Sequence, residues 1–187
     1  MRIIGGTRRG LKLAAIGEGD TAAHLRPTSD RVREAIFNLL INGGYGNPVQ
    51  GAQVLDLFAG TGALGLEALS TGASRATFVD DGAKALSLLR TNIARMKAEA
   101  ATECLCRDAT ALPLNAHAPC TLVFLDPPYG KALGERALAS AIAGGWLAPG
   151  AMIVWEESTP PRPPAAVTQL DQRRYGDTLV TLLRAPE

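Results

Sequence analysis

The stretch Val54-Leu55-Asp56-Leu57-Phe58-Ala59-Gly60-Thr61-Gly62-Ala63-Leu64-Gly65 decides the fold. It opens as a short, nearly continuous apolar run, passes through two closely spaced glycines and continues in good helix formers. That order predicts a buried strand over Val54–Phe58, a tight turn, and a helix over Gly62–Ser70. The same alternation repeats outward. Strands are expected at Ala76–Val79, Glu103–Cys106, Thr121–Leu125 and Met152–Glu156. Helices are expected at Ala83–Glu99, where Leu86, Leu89, Ile93 and Met96 share a face, and at Gly134–Ala143. Val167–Tyr175 and Thr178–Arg184 read as a closing strand pair around Gly176-Asp177. Upstream, Thr28 or Ser29 can cap a helix carrying Val32, Ala35, Ile36, Leu39 and Leu40. Continuous apolar strands alternating with helices mean a parallel sheet covered on both faces, an α/β doubly wound fold.

Composition bounds the rest. The chain has 187 residues, 47% hydrophobic and 20% charged, enough for one well-cored domain. A two-domain dehydrogenase or a restriction-type DNA methylase does not fit this length. Net charge is +1, but residues 1–33 hold seven bases against three acids, while the remainder holds twelve against fifteen. A basic head, folded as a small hairpin over Met1–Leu13, points to a polyanion. Three cysteines and two histidines provide no zinc set and no disulfide framework, so no metal is expected. No run approaches the roughly 18 apolar residues of a membrane span, and MRIIGGTRRG lacks the apolar core of a secretory leader. A cytoplasmic protein is expected.

Ligands of a doubly wound sheet bind beyond the carboxyl ends of its strands. Asp56–Gly62, Asp80, Asp108 and Asp126–Gly130 all fall there. Gly60-Thr61-Gly62-Ala63-Leu64-Gly65 fits G-x-G-x-x-G, which alone is a weak signal. Asp80 sharpens it, because an acid twenty residues after Gly60 can accept both hydroxyls of a ribose. Asp56 sits four residues before Gly60. A carboxylate there suits a cofactor with a positive group better than a pyrophosphate, and S-adenosylmethionine carries an ammonium and a sulfonium.

Asp126-Pro127-Pro128-Tyr129 follows the fourth strand as a rigid extended corner. Asp126 and the Pro127 carbonyl offer two acceptors, and Tyr129 offers a π-face. Together with Pro128 they describe a seat for a flat base with an exocyclic amine. The lone pair of such an amine is delocalised, so two acceptors that favour a pyramidal nitrogen make it a nucleophile. Its positive charge grows in the transition state, beside Asp126. Carbon methylation would need an activated nucleophile such as Cys, and the cysteines here lie within a strand or before one, which argues against it.

Asp56-Leu57-Phe58-Ala59-Gly60-Thr61-Gly62 resembles motif I of the class I methyltransferases. The resemblance implies cofactor contacts at Asp56, Phe58, Gly60, Gly62, Asp80 and, after the third strand, Asp108 and Ala109. Asp126–Tyr129 resembles motif IV of the amino-directed nucleic-acid methyltransferases. Arg2-Ile3-Ile4-Gly5-Gly6, Arg9–Leu13, Arg26-Pro27-Thr28, Asp30–Leu40 and Tyr175–Thr178 extend the likeness over nearly the whole chain. They resemble the bacterial 16S rRNA guanine-N2 methyltransferase family. That implies a seven-stranded, mostly parallel sheet, S-adenosylmethionine as cofactor, and methylation of a guanine amine in 16S rRNA of the small ribosomal subunit. The domain is then 26–187, with 1–25 as a basic extension and a monomer expected. Asp80 departs from the Glu more usual in this family. Arg8, Arg9, Lys12 and Arg26 could grip phosphates or be plain solvated surface, and Arg26-Pro27-Thr28 could instead close over the cofactor. Three other readings compete: an adenine-N6 methyltransferase, a nicotinamide oxidoreductase using Gly60–Gly65, and a non-catalytic RNA-binding assembly module. Asp126–Tyr129 has no use in hydride transfer.

Overall fold

The computed structural model describes residues 1–15 and 29–187. Seven strands form one sheet in the order β3-β2-β1-β4-β5-β7-β6. They are β1 (Gln53–Leu57), β2 (Arg75–Asp80), β3 (Thr102–Cys106), β4 (Cys120–Leu125), β5 (Leu147–Glu157), β6 (Thr168–Tyr175) and β7 (Thr178–Arg184). β1 to β5 are mutually parallel, and β7 runs antiparallel to both β5 and β6. The helices are α1 (Asp30–Asn42), α2 (Ala63–Thr71), α3 (Ala83–Met96) and α4 (Leu133–Ala143).

The period-2 side-chain alternation divides the core in two. Leu122 and Phe124 of β4 join Ile36, Leu40, Leu66 and Leu89 from α1, α2 and α3 on one face. Val123 and Leu125 join Leu138 of α4 and Trp155 on the other. Both tryptophans are buried, as packing. The chain leaves β1 toward β2 on one side and has β4 on the other. The carboxyl ends of β1 and β4 therefore flank the switch point, where such sheets bind ligands.

Several element ends differ from the sequence expectation. β1 stops at Leu57 because Phe58 has φ 58°, which no strand tolerates. α3 stops at Met96 rather than Glu99. Lys97 turns left-handed at φ 54°, and the Ala98 N–H bonds back to the Ile93 carbonyl, a C-terminal cap made without glycine. β5 starts five residues early, since Leu147 pairs with Cys120 ahead of a register shift. α1 begins with Ser29 as its cap, accepting from the Val32 N–H.

The basic N-terminal segment folds back on itself with one bridge, Arg2 to Lys12, around a one-turn 3-10 helix at Gly6–Arg8. It is not a regular ladder, because the Ile4 and Gly5 N–H groups donate to Glu67 of α2 instead. Gly6 has φ 71°, and a Cβ there would stand 1.8 Å from the Ser70 carbonyl oxygen, so only glycine allows this docking. Ile3 and Leu13 enter the core. Arg33 of α1, wholly buried, donates to Glu67 at 3.2 Å, to Asp30 at 2.9 Å and to the Arg2 carbonyl.

Candidate active site

The turn after β1 is built from left-handed residues. Phe58 has φ 58°, Gly60 φ 55° and Gly62 φ 78°. Gly62 caps α2 where a Cβ would lie 2.3 Å from Leu89 Cδ1. A left-handed phenylalanine is costly and persists only where the surroundings dictate it. Here the Ala59 N–H bonds to the Val79 carbonyl, and the Gly62 N–H to the Ala59 carbonyl at 2.7 Å.

Asp80 ends β2 and faces this turn. One carboxylate oxygen accepts from Gly60 N–H and the other from Gly82 N–H, each at 2.8 Å. A carboxylate has about four acceptor sites, so two remain for ligand hydroxyls. Burial raises its pKa, the two N–H bonds lower it, and neighbouring Asp81 raises it. Asp56 lies deeper, 2% exposed, with Oδ2 accepting from the Gly65 N–H at 2.9 Å. Burial pushes its carboxyl well above the usual range. The Gly65 bond opposes that shift, and Asp126 and Asp80 add to it. Asp56 thus supports the turn from beneath. Asp108 is exposed and accepts from the Thr110 N–H and hydroxyl, at 2.8 and 2.7 Å, and these bonds, with the charge of Arg136, hold its carboxyl below the usual range. Ala109 beside it is buried.

The Asp126 N–H donates to the Leu57 carbonyl at 3.4 Å, joining the tetrad to the root of the glycine turn. Asp126 is half-buried, Pro127 buried, and Pro128 and Tyr129 half-buried. The Tyr129 hydroxyl lies 3.4 Å from Thr178 Oγ1, at the start of β7. Burial first, then the charges of Asp126, Glu156 and Glu157, push its pKa up to about 12 against the opposing Thr178 hydrogen bond. Tyr129 therefore stays neutral near pH 7, with a ring suited to stacking rather than to acid–base work.

Two residues of this site were missed in the sequence. Glu157 Oε1 accepts from Gly130 N–H at 3.3 Å and Ser158 N–H at 2.9 Å, pinning the segment after Tyr129. Glu156, 1% exposed, is its neighbour. The available signal was two acids ending an otherwise apolar strand at the carboxyl edge.

The fold thus gathers Asp56, Asp80, Asp126, Tyr129 and Glu156 at one end of the sheet. It leaves Arg8, Arg9 and Lys12 exposed on the docked N-terminal segment. Arg26 lies outside the described residues. The gathered carboxylates, with two acceptor sites of Asp80 still available, fit a cofactor that pairs a ribose with positive charge. Among the described residues no cluster could hold a metal ion, and no helix is long and apolar enough to cross a membrane.

Fold and site together define a Rossmann-like methyltransferase. The chain belongs to the family described as Conserved hypothetical protein 95, whose model matches residues 1–184. It is 41% identical over 157 residues to Ribosomal RNA small subunit methyltransferase D of Escherichia coli K12, covering 83% of this chain and 74% of that protein. It is 36% identical over 160 residues to the Haemophilus influenzae protein of the same name, covering 83% and 78%. The solved structure of yhhF from Escherichia coli, described as a candidate methyltransferase, superposes with a TM-score of 0.81 at 35% identity, over 100% of this chain and 98% of that one.

Proposed function

We propose that this chain is an rRNA methyltransferase that moves a methyl group from S-adenosylmethionine to the exocyclic N2 amine of one guanine in 16S rRNA. The observation that carries this reading is the bond from Asp126 N–H to the Leu57 carbonyl. It sets the Asp126–Tyr129 tetrad beside the glycine turn that Asp80 faces. The relatives named for small-subunit rRNA support the substrate class.

When bound, S-adenosylmethionine supplies an electrophilic methyl on a positively charged sulfur. The chain's own residues do the rest. Asp80 takes the ribose hydroxyls, while Asp56 and the other carboxylates favour the positive centre. Phe58, Gly60 and Gly62 shape the seat, with Asp108 and Ala109 at its adenine end. Asp126 and the Pro127 carbonyl accept the two amine N–H bonds and turn the nitrogen lone pair out of conjugation. Asp126 then stabilises the charge that grows on nitrogen. Tyr129 stacks on the base and Pro128 keeps the corner rigid. Arg8, Arg9 and Lys12 of the basic extension, residues 1–25, grip flanking phosphates together with Arg26, the first residue of the methyltransferase domain, 26–187. The protein works as a monomer in the cytoplasm.

The test uses labelled S-adenosylmethionine with either free 16S rRNA or small subunits lacking the modification, followed by mapping of the label. Label on guanine N2 is expected. Label on adenine N6, or none on either substrate, would overturn the assignment.

A further inference from the structure

Asn92 stands within α3, outside every motif above, and is wholly buried. A buried carboxamide is costly unless its polar atoms are paired. Asn92 Oδ1 accepts from the Ala14 N–H at 2.6 Å, and Nδ2 donates to the Ala14 carbonyl at 3.0 Å and the Thr61 carbonyl at 2.9 Å. Thr61 lies between Gly60 and Gly62. The turn that holds these residues is strained, and strained backbone keeps its shape only through the bonds around it. Asp80 and Val79 fix it from β2. Asn92 is the fixture from α3, and it also fastens the turn to the segment carrying Arg8, Arg9 and Lys12. The same helix presents Leu89, which fills the space a side chain on Gly62 would need.

We infer that Asn92 is a positioning residue for the cofactor site. Its carboxamide holds the Thr61 carbonyl, and so the glycine turn, in the shape that receives the cofactor. Asn92 does not touch the cofactor and acts through Thr61. This rests on the reading of Gly60–Gly62 as the seat of S-adenosylmethionine.

The experiment compares the full chain with Asn92→Ala and with Ile153→Val, a core change on the opposite face of the sheet. Binding of S-adenosylhomocysteine is measured by calorimetry, alongside melting temperature and amide exchange. Asn92→Ala should raise Kd about tenfold, the scale of one buried hydrogen bond. It should speed exchange at Gly60 and Gly62 and leave kcat at saturating cofactor within about twofold, the pattern of lost ground-state binding. Ile153→Val should change melting temperature without changing Kd. An unchanged Kd for Asn92→Ala, or an equal rise in the control, overturns the inference. If Asn92→Ala does not fold, the unmodified protein decides. Its Asn92 carboxamide protons, followed by NMR, should shift and gain protection when S-adenosylhomocysteine binds, and signals indifferent to the ligand overturn the inference. An unmodified protein that binds no S-adenosylhomocysteine overturns the cofactor reading itself.

Discussion

Asp126 and Asp80 are both carboxylates at strand ends, and the proposed mechanism gives them different work. On the proposed mechanism Asp126 meets an amine whose charge appears in the transition state, so its loss should fall on kcat. Asp126→Ala should bind S-adenosylhomocysteine and RNA nearly as wild type but lose about 10²–10³ in single-turnover rate. A near wild-type rate would remove the tetrad from the chemistry. Asp80 holds Gly60 and Gly82 and faces the proposed cofactor seat, so its loss should fall on binding. Asp80→Ala should weaken S-adenosylhomocysteine binding by about 1.5–3 kcal/mol, the scale of charged hydrogen bonds. Unchanged affinity in a folded variant would refute the ribose assignment. Asp56 has a folded-state pKa well above its ordinary 3.8. The folded protein keeps that proton to higher pH, so the group's favourable contribution is complete below its unfolded pKa and is lost as pH rises through the folded value. Asp56→Asn keeps an acceptor for Gly65 and cannot ionise. It should melt higher than wild type at pH 8 and close to it near pH 4, and equal melting curves at pH 8 would contradict the raised pKa.

At the scale of elements, the N-terminal segment, α1 and α2 meet at one buried pair, Arg33 and Glu67. Both are 0–1% exposed, and Glu67 also serves the Ile4 and Gly5 N–H groups. Removing one partner of a buried pair takes compensation from the other charge, even where a further partner stays, as Asp30 does for Arg33. Glu67→Ala should therefore cost about 3–5 kcal/mol in denaturant titration and expose the N-terminal segment to proteolysis. A loss below about 1 kcal/mol would show that the segment does not depend on Glu67 for its docking. The helical period of α1 was legible from Val32 to Leu40. That Arg33 would be interior was not, because an arginine in a basic run reads as surface until its partners are known.

Across the whole molecule, the carboxylates collect at the end of the sheet while Arg8, Arg9 and Lys12 stand exposed on the docked segment. Reversing Arg8 and Arg9 to Glu should raise the Kd for RNA and flatten its dependence on salt, leaving cofactor affinity unchanged. An unchanged salt slope would mean that these residues touch no phosphate. The sequence by itself determined the strand and helix order, the doubly wound sheet, the glycine turn and the Asp126–Tyr129 tetrad. Each is written in local periodicity, in Gly and Pro, or in short fixed spacings, which act over a few residues. Tertiary structure alone decided which distant groups meet: Asn92 with Thr61 and Ala14, Glu67 with Ile4 and Arg33, Glu157 with Gly130. It also decided that Asp56 supports the turn from beneath. These outcomes depend on long-range packing and on the burial that sets the cost of an unpaired polar group, and neither is carried by neighbours along the chain.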